Sequence, residues 1–303
     1  MSIKIVTDST CDIPREIVDQ YDITVIPCYV NLNGESYLDG VEITRQEFYK
    51  QLPLAHPHPS TSAPGPGVFL KAYQKLADEG AEAIFSIHVT KTFSNIFNAA
   101  KMALDEFDSV PIKTIDSGNL SLALGLIVLH AARAAANGAS FDEIAAIVDA
   151  AIKHTHAYAK LDTIDYLHRS GRLSAIQHSL ISMLDIKPIL KMNAGVSKME
   201  MVRTKRKAFR RVQNKANSVL PDAVLTGITH ANAPEQLEKL VNSLKEEQPD
   251  IHTPLISETT PALGTHVGPG TLCVVWTEKA FKENLAEQGL DKWLTDQSEK
   301  EIK

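Results

Sequence analysis

Three cysteines in 303 residues, Cys11, Cys28 and Cys273, form no Cys-x-x-Cys pair, and one stays unpaired in any disulfide scheme. A disulfide scaffold is therefore excluded, and a reducing, cytoplasmic setting is expected. Long apolar runs are also missing. The longest, Leu120 to Ala136, is broken by Ser121, Gly125, His130 and Arg133. Such interruptions are expensive in a bilayer and point to a buried helix rather than a transmembrane segment. The start, Met1-Ser-Ile-Lys-Ile-Val, has neither the charged region nor the small-residue cleavage site of a signal peptide. No Walker motif is present, and no Gly-x-Gly-x-x-Gly follows the first strand, so nucleotide binding has no support. Gly-x-Ser-x-Gly, internal repeats and low-complexity tracts are absent as well. A net charge of -6 gives no general reason to bind nucleic acid.

What is present reads as a globular α/β chain of two domains, 1–155 and 156–303, with 44% hydrophobic and 22% charged residues. Ile3 to Asp8, Ile23 to Val30 and Ala83 to Val89 are apolar runs, and helical patterns separate them. Asp12 and Pro14 are placed to open the first helix. Strands that are apolar throughout imply a mostly parallel sheet with helices on both faces and ligands beyond the strands' carboxyl ends. In the second half, helices are expected over Leu161–Arg169, Ser179–Leu184 and Pro234–Glu247. Strands are expected at Lys187–Met192, Val196–Val202 and Val224–His230, giving a mixed or antiparallel sheet. Asn193-Ala-Gly is a turn, and the tail after Leu294 reads as frayed.

Hydroxyls gather where such a sheet would carry its site: Thr7 to Thr10, Ser60 to Ser62, Thr90 to Ser94, and Asp116-Ser117. Hydroxyls and free N–H groups at helix starts suit a small anionic or polar head group, although the same residues also cap helices. His266 stands within Gly264-Thr-His-Val-Gly-Pro-Gly270, a glycine-rich turn that would bring the imidazole close to a ligand. Cys11 near a helix start could be an activated thiol, but it has no base beside it. His56/His58 and His154/His156 have metal-like alternation without a partner at ligand spacing, and read as solvated loops. Ser94, His266 and Asp8 could form a hydrolase triad, although nothing in the sequence orders their contacts. Six of the nine residues 203–211 are basic, with Arg203, Lys205 and Arg206 at the front. They read either as a solvated helix start or as a docking surface for an acidic or phosphate-handling partner.

Taken in order, Val6 to Pro14, Ser60 to Phe69, Thr114 to Ser117, Leu161 to Ser174, Ile186 to Leu190 and Gly264 to Gly270 resemble the DegV family over residues 3 to about 276. The resemblance implies a carrier, not a catalyst, that encloses one long-chain fatty acid without cofactor or metal. It further implies presentation of the acid to a separate ATP-dependent fatty acid kinase, which makes the acyl-phosphate. The carboxylate-binding positions map to Thr61, Ser62, Ser94 and His266, with Arg172 near the head group and the kinase-facing surface. An acyl hydrolase using Ser94 and His266 is the alternative. The chain departs from the family at Asn95 and Ile96, where Gly-Thr is usual, and at Cys11 and Cys273, where alanine and glycine are usual.

Overall fold

A computed structural model describes residues 2–174, 186–249 and 251–293. The helix expected over Ser179–Leu184 and the tail after Leu294 lie outside the described residues. Among the described residues there are three sheets. The first contains β1 (Ile3–Asp8), β2 (Thr24–Ile26), β6 (Ala83–His88) and β7 (Ile112–Asp116) in the order β2-β1-β6-β7, all parallel. Every residue of β6 is buried, as a strand covered on both faces requires.

The second sheet has the order β10-β9-β8-β13-β11-β12. Its strands are β8 (Thr155–Lys160), β9 (Lys187–Asn193), β10 (Val196–Val202), β11 (Leu225–His230), β12 (Leu255–Glu258) and β13 (Leu272–Thr277). Only β11 and β12 run parallel. Ala194 and Gly195 turn the β9–β10 hairpin, both at positive φ, the geometry of a tight primed turn. Tyr158, Val274 and Trp276 pack on one face, with the helices Lys205–Val219 and Pro234–Glu247. Ala157, Cys273 and Val275 pack on the other, with Leu122, Ala123 and Leu126. This is the strand's period of two at work.

A small third sheet was not expected. It joins β3 (Tyr29–Leu32), β4 (Glu35–Leu38) and β5 (Ser60–Ser62), all antiparallel. The single strand read over Ile23–Val30 breaks at Pro27-Cys28, because Pro27 has no N–H to donate and the Cys28 N–H goes to Ser9 Oγ at 3.1 Å. The hydroxyl cluster Ser60–Ser62 is β5. Asp12 does not cap a helix. It is left-handed (φ 52), ends a 3-10 turn, and the first helix, Arg15–Gln20, starts after Pro14. The helix expected over Leu161–Arg169 is shorter, Asp165–Arg169.

The Ser121–Ala136 helix packs against β1 of the first sheet and against β8, β11 and β13 of the second. Contact on all sides explains why its sequence is apolar almost all round. Gly125 lets this helix approach closely: a Cβ there would sit 2.6 Å from the Cys11 carbonyl oxygen and 2.9 Å from Ile13 Cγ1. In an open helix, Gly→Ala adds about 1 kcal/mol of stability. At this position the sign should reverse. Gly125→Ala is expected to destabilise by about 1–3 kcal/mol in denaturant unfolding, and a stabilised variant would disprove the close approach.

Candidate functional site

The carboxyl ends of β1 and β6, the start of the Ser121–Ala136 helix, β5, and the inner face of the second sheet enclose a cavity of about 210 Å³. Small side chains make the room. Ala157 and Ala159 on β8 face it beside Met192 of β9 and Cys273 of β13, while Phe93, Leu161, Leu167 and Leu263 close it. Among the described lining residues Arg172 is the one charged side chain. An interior of this kind accepts an apolar body and rejects an uncompensated charge.

One end is polar. Thr61, Ser62, Ser94, His266 and Arg172 all line this cavity, so the five positions singled out in the sequence converge. His266 Nε2 lies 2.8 Å from Thr61 Oγ1. Its Nδ1 is buried and has no hydrogen-bond partner among the described residues. Burial, followed by the Arg172 charge and then His58, pushes the imidazole down to about 3, so it is neutral at physiological pH. When the Thr61 hydroxyl donates to Nε2, Nδ1 carries the proton and becomes a donor into the cavity. Arg172 is oriented by an Nη1 bond to the Ser170 carbonyl at 2.6 Å. It also lines an open polar cleft with Lys91, Ser94, Asn95 and Ser174. Ser94, Asn95 and Arg172 thus belong both to the polar end of the cavity and to this outer cleft.

His266 is not in a turn. It occupies the last turn of the helix Pro261–Val267, and the chain becomes left-handed only at Gly268 and Gly270. Pro261 opens that helix, and Gly264 lies inside it because a Cβ there would meet Tyr49 Oη at 2.6 Å. Two buried carboxylates hold the helix start. Asp12 accepts from Thr260 N at 2.9 Å and from Ser121 Oγ at 2.5 Å. Asp39 accepts from Ala262 N at 3.2 Å and from Ser9 Oγ at 2.6 Å. Burial raises Asp12 to about 7 and Asp39 to about 6, against the pull of these donors and of Arg45.

A family model described as an uncharacterised protein family, DegV, matches residues 2–279. The chain belongs to the DegV family. A DegV domain-containing protein of Streptomyces coelicolor is 34% identical, the match covering 90% of this chain and 97% of that protein. The crystal structure of DegV from Bacillus subtilis, described as a fatty acid binding protein, superposes with a TM-score of 0.83 at 32% identity, covering 92% of this chain and all of that one. A Thermus thermophilus DegV family protein, described by its fatty acid binding, gives 0.82 at 26% identity and 92% coverage of this chain.

The other candidates of this DegV-family chain have local partners. Asp8 does not meet His266. Its carboxylate accepts from Thr10 N and Oγ1 and from Val89 N, and Oδ2 lies 3.0 Å from His88 Nδ1. His88 Nε2 continues to Ser86 Oγ at 2.6 Å, and Ser86 to Tyr73 Oη at 2.7 Å. Asp8, His88 and Ser86 thus have a triad's connectivity, but all are fully buried and none lines the cavity. The relay ties β1 to β6. Ser94 Oγ accepts from Ile96 N at 3.4 Å, so the Ser94–His266–Asp8 triad is not assembled. Burial raises the Cys11 thiol pKa, which removes the activated-thiol reading. Asp116 accepts from Gly118 N, and Ser117 from Asn119 N, a turn outside the cavity lining.

His58 lies 3.1 Å from the Thr265 carbonyl. His154 and His156 lie 2.8 and 3.3 Å from the two oxygens of Glu278, a partner that sequence spacing did not reveal. Among the described residues no group of three or more His, Cys, Asp or Glu is arranged to hold a metal, and no helix is long and apolar enough to cross a membrane.

The lowered His266 value fixes a pH signature. Between about 3 and the unperturbed 6.5 the unfolded chain binds a proton that the native chain does not. Stability from this residue is therefore fully present above pH 6.5 and is lost as pH falls towards 3. His266→Gln removes that loss. Its stability relative to the parent should improve by about 1 kcal/mol per pH unit on acidification from 6.5 to 4, read by urea unfolding at each pH. A pH-independent difference would mean that His266 titrates normally.

Proposed function

We propose that the protein binds a single long-chain fatty acid, carboxylate at His266, and acts as a cytoplasmic carrier rather than a catalyst. The observation that carries this reading is the buried, unpartnered Nδ1 of His266 at the polar end of an otherwise apolar cavity. A buried imidazole nitrogen without a partner costs free energy that a ligand oxygen would recover. With Thr61 behind it, Ser62 and Ser94 beside it and the Arg172 cation at the mouth, the matching ligand is an anionic oxygen on an apolar tail. The tail supplies most of the affinity: about 15 methylenes at roughly 0.8 kcal/mol each give on the order of 12 kcal/mol before association costs. The descriptions of the Bacillus and Thermus relatives as fatty acid binding support the same assignment. We take 1–155 and 156–303 as its two domains, with the lipid between and within them.

A carboxylate at the mouth of the cavity can be offered to a second protein, and we assign that role to a separate ATP-dependent fatty acid kinase that returns an acyl-phosphate to this carrier. Arg172, shared by cavity and outer cleft, would face that partner.

Native mass spectrometry, compared with the denatured mass, should reveal a co-purified fatty acid. His266→Ala should weaken fatty-acid binding by about 1–3 kcal/mol and the matching fatty alcohol by less, measured by competition calorimetry. Equal losses for acid and alcohol would assign His266 to the fold alone.

The basic segment forms the start of the Lys205–Val219 helix, capped by Thr204. Arg203, Arg206, Lys207 and Arg210 are exposed there, whereas Lys205 is paired with Asp162 at 2.7 Å and Arg211 with Glu200 at 3.3 Å. Charge reversal therefore belongs at Arg203, Arg206 and Arg210. Those variants should retain fatty-acid binding but slow phosphorylation by the kinase several-fold, most strongly at low salt. Unchanged rates in the folded variant would return the helix start to a solvated face.

A further inference from the structure

The cavity has a second polar patch away from His266. Thr10, Ser121, Thr229 and Thr259 all line it, and each is at least nine-tenths buried. They form one cluster: Asp12 binds both Ser121 Oγ and Thr260 N, and Thr259, the residue before, has its Oγ1 3.2 Å from Thr229 Oγ1. Thr10 enters through the same 3-10 turn, which ends at Asp12. His266 lies at the opposite end of the Pro261–Val267 helix from Thr260. Six residues at a rise of about 1.5 Å set the Cα atoms of the two residues about 9 Å apart along the helix axis. Hydrogen bonds at the two ends add to this span, which places the patch on the order of seven to nine carbon–carbon bonds from the carboxyl carbon.

The proton positions in this patch are constrained. Thr10 Oγ1 donates to Asp8 Oδ1 at 2.5 Å, and Ser121 Oγ donates to Asp12 Oδ2 at 2.5 Å. Each of these hydroxyls, its hydrogen committed to a carboxylate, offers only lone pairs to the cavity. Thr229 and Thr259 have two hydrogens and one mutual bond, so one O–H remains to be placed. The patch therefore presents acceptors together with a donor. A hydroxyl group, which donates once and accepts, complements this set, whereas a methylene leaves it unmatched and a carbonyl uses only the donor.

We propose that this patch is a second polar subsite and that the cavity takes acyl chains carrying a mid-chain hydroxyl, a reading that rests on the fatty-acid assignment above. In a purely apolar channel, burying a hydroxyl without partners weakens binding by about ten- to a hundredfold. Here the subsite offsets that loss.

The test compares octadecanoate, 10-hydroxyoctadecanoate and 2-hydroxyoctadecanoate on delipidated protein. It is run at pH 8, above the value to which burial raises Asp12. The parent protein should bind the 10-hydroxy acid within about threefold of octadecanoate. A Thr229→Val, Thr259→Val double variant removes both members of one hydrogen-bonded pair and should disfavour the 10-hydroxy acid more than tenfold relative to octadecanoate. The 2-hydroxy acid, whose hydroxyl stays at the His266 end, should keep its ratio to octadecanoate in both proteins. Octadecanoate binding with more than tenfold discrimination against the 10-hydroxy acid by the parent, or an unchanged ratio in the double variant, overturns the subsite alone. Failure of octadecanoate itself to bind overturns the fatty-acid reading and the subsite with it.

Discussion

The Asp12 carboxylate joins three stretches of chain that are far apart in sequence: the turn after β1, the start of the central helix at Ser121, and the residue before the His266 helix at Thr260. A buried carboxylate is costly unless it is bonded, so its two donors are fixed relative to one another. That constraint sets the inner end of the cavity and, through a short rigid helix, the place of His266. Asp39 repeats the device two residues further on, at Ala262. The polar groups of the site are thus oriented by carboxylates that never touch the cavity, and their positions do not depend on loop packing alone.

The parallel sheet, β9, β10 and β11 of the mixed second sheet and the Pro234–Glu247 helix were legible because periodicity and proline position determine them locally, whereas β8, β12 and β13 were not read. The split of Ile23–Val30 into two sheets was not. Pro27 offered a hint, but the competing donor-acceptor pair with Ser9 is a tertiary fact. Asp12 failed as a predicted cap for the same reason, because its carboxylate is claimed by residues more than a hundred positions away. Thr61, Ser62, Ser94, His266 and Arg172 could be grouped from the sequence only through the family resemblance, since no spacing brings them together. Thr229 and Thr259 carried no signal at all. Lone threonines at strand ends look like ordinary β-branched residues until a cavity is seen beside them.

Burial decides the chemistry of the acidic and basic groups more than their pairing does. Asp12 and Asp39 move up and His266 moves down for the same reason, desolvation of the charged form. The Asp8–His88–Ser86 relay shows the converse of a site. It has the connectivity associated with nucleophilic catalysis and no access, so its bonds act as a clamp between β1 and β6. Connectivity without an opening is not a mechanism.

The alternation along β8 and β13 separates two jobs by a single residue step. Ala157, Ala159 and Cys273 look into the cavity, while Tyr158, Val274 and Trp276 serve the core under the outer helices. On the fatty-acid reading, the inward set is a gauge of tail shape and the helix bearing His266 is an anchor for the head, and the two belong to different elements. Enlarging an inward alanine would change which tails fit without disturbing the anchor or the outer core. The fold can therefore diversify its cargo among relatives by drift at a few small residues, leaving the rest of its architecture intact.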